Sequence, residues 1–148
     1  MIGCIVEQAV EGWRAAKSLN APYHICREAS ATMFALNFYS EFYEDELKTG
    51  RKTLTIRLGD KSDKYQSGMI VWVTVGPRFG RRQKLFAAIL DRVEVRTIDQ
   101  LSPREIQKEN PEFRTKEDLV QLLRRIYSDD ISVEDTVSII HFSPVSEY

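Results

Sequence analysis

The run TGRKTLTIRLGD, residues 49–60, places Lys52 beside Thr53 and three residues before Thr55, with Arg51 and Arg57 on either side. A hydroxyl is a weak nucleophile alone and gains strength from an adjacent base, so a lysine near a threonine is raw material for an amide-cleaving site. Such a base must be neutral, whereas an unperturbed lysine titrates near about 10.4. Burial, or neighbouring cations such as Arg51 and Arg57, would bring that value down. The spacing imposes a condition. Successive strand residues point to opposite faces, so side chains three apart diverge. Lys52 and Thr55 converge only if Lys52 lies in the turn before the strand or a bulge intervenes, and Gly50 makes the turn feasible. The plain alternative is that Thr53 and Thr55 are ordinary β-formers and that Lys52 and Arg57 are solvated edge charges.

A second cluster lies in GPRFGRRQK, where Arg78, Arg81, Arg82 and Lys84 surround Phe79. Such a group can grip phosphates and stack on a base. Its alternative is a solvated hairpin loop. The net charge of the 148-residue chain is -1, so any electrostatic footprint for nucleic acid must be local. Cys4 and Cys26 have no C-x-x-C spacing, and His24 and His141 lie far apart. No structural zinc site, disulfide framework or histidine triad is expected, and neither a metal nor a cofactor. No apolar run reaches membrane-spanning length, and the N-terminus lacks the basic start and apolar run of a signal peptide. The expected location is cytoplasmic, with no membrane partner. Nothing in the sequence sets an oligomeric state.

Residues 1–32 read differently from the rest. IVEQAVEGWRAAKSL carries Val6, Val10, Trp13 and Lys17 at helical spacing, and NAPYHICREASAT reads as a linker. This stretch is expected to be an N-terminal extension outside a domain spanning 33–148. In that domain FALNFY alternates Phe34, Leu36 and Phe38, a half-buried strand. Ser40 offers an N-cap for the helix in EFYEDELK, and Gly50 sits where its end is expected. TLTIRL and MIVWVTV read as strands, separated by a polar loop that holds Tyr65 as a rim candidate. KLFAAILDRVEVRTI reads as one long, bent strand. Ser102, Pro103 and Glu105 spell a capping box, and Thr115 with Asp118 repeats it before the apolar stripe Leu119, Leu122, Leu123 and Ile126. Leu119 and Leu122 read as core, as do Trp72 and Phe86, and His141 on the closing strand DTVSIIHF reads as structural. Strands joined by short links point to a curled antiparallel sheet, not a doubly wound parallel one. The expected fold is α+β, built around an open barrel.

The segment ELKTGRKTLTIRLGDKSDKYQSGMIVWV, with TIDQLSPREIQKEN downstream, resembles the ASCH domain of the PUA-like superfamily of small RNA-associated barrels. It is most similar to the small bacterial amidohydrolases that remove the acetyl group from the exocyclic amine of acetylcytidine. The resemblance covers residues 33 to 143. It implies an open β-barrel of about five to six mostly antiparallel strands with flanking helices. It also implies a catalytic set: Thr55 as nucleophile, Lys52 as its base, and Glu109 as proton donor to the departing amine. Glu109 falls at the predicted end of a helix, where the dipole opposes negative charge. Arg51, Thr53, Arg57 and Asn110 flank that set and are expected to contact the ligand, a nucleoside or RNA. Without the resemblance Glu109 reads as a solvated helix residue. Two segments depart from the amidohydrolases: the longer basic connection GPRFGRRQKL and the N-terminal extension. Two functions stand open, deacylation of an acylated cytidine and non-catalytic binding of RNA or a modified nucleotide.

Overall fold

Apolar residues at every second position make ALNF a strand, β1 (Ala35–Phe38), with Leu36 and Phe38 buried and Phe34 just outside it exposed. The computed structural model describes residues 33–39 and 41–146. The expectations for residues 1–32 and for Ser40 as a cap lie outside the described residues. A 3-10 turn (Glu41–Tyr43) leads into the short helix α1 (Glu44–Lys48). Strands β2 (Leu54–Leu58), β3 (Ile70–Val75) and β4 (Gln83–Thr97) follow. Helices α2 (Pro103–Glu109) and α3 (Lys116–Tyr127) precede the closing strand β5 (Thr136–Pro144).

The five strands form one sheet in the order β1-β3-β4-β5-β2. β1 pairs in parallel with β3, and all other neighbours are antiparallel. This is the curled α+β half-barrel with flanking helices expected of a PUA-like domain. β4 is the long, bent strand read from the sequence. Its register shifts between Leu90 and Arg92, so Asp91 is a bulge. Bulges bend a strand and raise its twist, which lets β4 serve β3 with one half and β5 with the other.

Two apolar clusters hold the sheet. Leu36, Phe38, Val71, Val73 and Phe142 pack inside the curl with Tyr43 and Leu47. On the other side Leu54, Ile56, Val137 and Ile139 pack under Ile106, Leu119 and Leu123 of the helices. β5 contributes to both clusters, which is why VSII is continuously buried rather than alternating. A buried leucine in such a cluster is worth about 2–5 kcal/mol against alanine.

Both helices begin where the capping boxes predict. Ser102 accepts from the Glu105 amide at 3.3 Å, and Thr115 accepts from the Asp118 amide at 3.3 Å. Glu105 is also bonded by Arg96 of β4, which fastens the start of α2 to the sheet. These contacts, set against the burial that opposes them, hold the Glu105 carboxyl down at about 2. Among the described residues, no helix is long and apolar enough to cross a membrane.

Three side chains sit differently from their sequence expectation. Tyr65 is core, not rim: it is 6% exposed and its hydroxyl donates to the Ala35 carbonyl at 2.9 Å. Trp72 is half-buried on the sheet, with the Lys84 amine 3.6 Å above its ring. The apolar stripe of α3 divides. Leu119 joins the core, Leu123 joins it and also borders a cleft, and Leu122 and Ile126 face that cleft.

Candidate functional site

α1 ends in a tight turn. The Gly50 amide donates to Leu47 O at 3.2 Å, and Gly50 adopts φ 72, a left-handed conformation that suits glycine. The chain reverses, the Lys52 amide donates to Glu46 O at 3.1 Å, and the Lys52 side chain is carried inside. Lys52 therefore precedes β2 and escapes the strand alternation, which resolves the spacing problem by a turn and not by a bulge. Within β2, Leu54 and Ile56 go to the helix-side core, and Thr55 and Arg57 take the opposite face.

The Lys52 side chain is closed to solvent. Its amine donates to the Glu109 carbonyl and lies 3.5 Å from the Glu109 carboxylate. It also stands 4.5 Å from the Tyr43 ring centre and 5.7 Å from that of Phe38. Burial pushes the Lys52 amine below the usual lysine range, and the Glu109 charge opposes that fall. Glu109 is the last residue of α2 and is 5% exposed. Its second carboxylate oxygen accepts from the Ile56 amide at 2.7 Å. β2 is an edge strand, so that amide would otherwise lack a partner. Tyr43 carries a hydroxyl pushed up to about 12, first by burial and then by the Glu109 charge. The Asn110 amide donates to that hydroxyl at 3.4 Å.

These groups border a cleft of about 390 Å³. Thr55, Glu109 and Asn110 supply its polar floor, and Lys52 stands behind Glu109 without lining it. Phe38, Tyr39, Phe42 and Tyr43 form an aromatic wall, faced by Leu122, Ile126 and Tyr127 of α3. Arg57 lies over the Phe38 ring at 5.1 Å and donates to the Asn37 carbonyl at 2.7 Å. Its Nε atom is buried with no hydrogen-bond partner among the described residues. The result is a half-open, largely apolar slot with a hydroxyl and a carboxylate among its lining groups.

Thr55, Glu109, Arg57 and Asn110 share this cleft, with Lys52 directly behind it. Arg51 and Thr53 do not line it. Arg51 is exposed and bonds Thr49 at 3.1 Å, and the Thr53 carbonyl accepts from the Phe142 amide at 3.0 Å. Arg78, Arg81, Arg82 and Lys84 are exposed on the β3–β4 hairpin and do not line it either. Among the described residues, no group of three or more His, Cys, Asp or Glu is placed to hold a metal ion. His141 lies 3.3 Å from Arg92 and 3.8 Å from Glu94. Sequence reading missed Tyr43, Tyr127 and the cleft face of α3. The available signal was the aromatic pair Phe42–Tyr43 at the head of a charged helix, where polar residues are usual.

No protein-family model matches the sequence, and no curated protein matches it. Solved structures do match. A protein of Enterococcus faecalis assigned to family DUF984 superposes with a TM-score of 0.60 at 14% identity, covering 93% of this chain and 91% of that one. An ASCH domain from Lactobacillus crispatus gives 0.54 at 13% identity, covering 93% and 94%. A hypothetical protein gives 0.56 at 18% identity, covering 77% and 100%. At these identities the likeness shows a shared fold: the described domain has the ASCH-type barrel.

Proposed function

We propose that the cleft is an amide-hydrolysing site for cytidine acylated on its exocyclic amine, in a member of the ASCH family. The observation that carries this reading is the Lys52 amine, sealed from solvent and lowered by that burial, behind a cleft floor that presents Thr55 and Glu109. Exposed lysines cannot act as bases near neutral pH, and this one has a physical route to doing so.

The Thr55 hydroxyl attacks the acyl carbon and gives its proton to the neutral Lys52 amine. The bond from that carbon to the exocyclic nitrogen breaks, the amine leaves with a proton from Glu109, and an acyl-threonine ester remains. The step starts from the tautomer of the ion pair in which the shared proton sits on Glu109 and ends with that proton on Lys52, so the pair's proton count is unchanged. Proton return within the pair, 3.5 Å apart, restores the starting state. Water then attacks the ester, acetate departs and Thr55 is regenerated. The aromatic wall suits stacking of the base, and Arg57 and Asn110 offer donors to its polar edge.

The test is incubation of the purified protein with acetylcytidine, with cytidine and acetate followed by chromatography. Thr55→Ala, a small change beneath the cleft, is expected to lower kcat/KM by at least about 10³-fold with an unchanged thermal melt. Absence of cytidine from the wild-type reaction at every pH tried overturns the hydrolase reading.

A further inference from the structure

The β3–β4 hairpin builds a second hollow next to residues that line the cleft. Glu44, Val75, Gly76, Pro77, Arg81 and Arg82 are among the residues lining this space of about 450 Å³. Val75 pairs in register with Phe38, the Gly76 amide donates to the Phe38 carbonyl at 3.0 Å, and Glu44 directly follows Tyr43. Phe38 and Tyr43 line the cleft, so the second hollow is lined by the immediate neighbours of two cleft residues. Asn37 ties them together. Its carbonyl accepts from Arg57 at 2.7 Å, and its side-chain amide donates to Gly76 O at 3.1 Å.

The hairpin is held in shape. Gly76 has φ 152, and a Cβ there would stand 2.8 Å from the Arg81 carbonyl, so only glycine fits. Arg82 donates to the Arg78 carbonyl at 2.7 Å, and Thr74 donates to the Asn37 side chain at 2.8 Å. At its tip Phe79 is 88% exposed with the Arg78 guanidinium 5.5 Å from its ring centre. Among the described residues, none of Arg78, Arg81, Arg82 and Lys84 has a carboxylate partner within ion-pair distance. The one acid of the hollow, Glu44, is engaged by Lys48 at 2.5 Å.

A free nucleoside would fill the cleft and leave all of this unused. A phenyl ring projecting from unpaired cations is the arrangement that holds single-stranded nucleic acid, with phosphates on the cations and a base on the ring. Duplex does not fit the cleft, because the reacting base must leave its stack to enter. We propose that the substrate is an acylated cytidine within a single-stranded oligonucleotide, the base in the cleft and the adjoining phosphates and base on Arg81, Arg82 and Phe79. This rests on the amidohydrolase reading of the cleft.

The experiment compares acetylcytidine with short single-stranded RNA and DNA oligomers that carry one acetylated cytosine. Wild-type kcat/KM is expected to be at least about tenfold higher on an oligomer, and to fall about sevenfold for two phosphate contacts when salt rises from about 50 to 200 mM. Arg81→Ala with Arg82→Ala, and separately Phe79→Ala, should remove that advantage and leave the nucleoside rate within about twofold, since none of these residues lines the cleft. Preference for RNA or for DNA identifies which chain is handled. Equal rates on nucleoside and oligomer, or an advantage that survives salt and the double substitution, overturn the proposal while leaving hydrolysis intact. If neither substrate is cleaved, the hydrolase reading fails by itself. Fluorescence anisotropy of the labelled oligomer then decides the hairpin: binding weakened by salt and by the double substitution supports it, and binding indifferent to both overturns it.

Discussion

Lys52 and Lys84 each hold an ammonium over an aromatic ring, and the closer contact is the weaker one. Lys84 stands 3.6 Å from the Trp72 ring centre on the exposed hairpin strand, and Lys52 stands 4.5 Å from that of Tyr43 with its side chain shut away from water. An exposed cation–ring contact contributes about 0.5–1 kcal/mol and a desolvated one about 2. Burial also changes what the group can do. The sealed amine has lost its hydration, depends on Glu109 and is lowered toward the neutral form. The exposed one keeps its water and its charge. The same contrast separates cleft from hairpin. Glu109 and Arg57 of the cleft are fixed by hydrogen bonds. The charges of the hairpin are hydrated and are screened by salt.

The sharpest way to break the comparison is to remove the buried cation. Lys52→Met leaves the Glu109 carboxylate buried without its partner and is expected to lower unfolding stability by about 3–5 kcal/mol, read by urea denaturation. Adding Glu109→Gln should recover part of that loss, because the amide oxygen can still accept from the Ile56 amide. A loss below about 1 kcal/mol in the single variant would place Lys52 in the same regime as Lys84.

Alkaline pH sharpens the picture from a second side. Folded Lys52 titrates below its ordinary 10.5, so the unfolded chain binds more protons in the interval and the wild type gains stability relative to Lys52→Met as pH rises toward 10.5. Tyr43 works the other way. Its folded value of about 12 exceeds the ordinary 10.0, so its contribution is complete below pH 10 and is lost as pH climbs toward 12. Urea midpoints measured over that range should decline for the wild type and hold better for Tyr43→Phe. Parallel declines would contradict the burial assigned to the ring. The smallest effect is expected on the hairpin, where Lys84→Ala should cost less than about 1 kcal/mol in the same assay.

Local signals made the frame readable. Alternation at Leu36 and Phe38, the two capping boxes and the glycine after α1 each concern a few neighbouring residues, and each is found in place. Glu109 was legible only through the resemblance, because a glutamate at a helix end is exposed unless something distant claims it. Here the claimants are Lys52 and the Ile56 amide, 57 and 53 residues away in sequence. The cleft face of α3 was hidden for another reason. Leu122 and Ile126 satisfy the same helical periodicity as Leu119, and only the closure of the sheet decides which of them meet a void. Tyr43 and Phe38 are ordinary core aromatics until a lysine is found between them.

The bond from the Ile56 amide to Glu109 makes one acid answer to two masters. Folding alone is reason to keep that glutamate, since losing it would bare the border of the sheet and strand a sealed ammonium. Idle relatives should therefore preserve the motif as faithfully as working ones. Survival of that acid in a lineage is no measure of turnover.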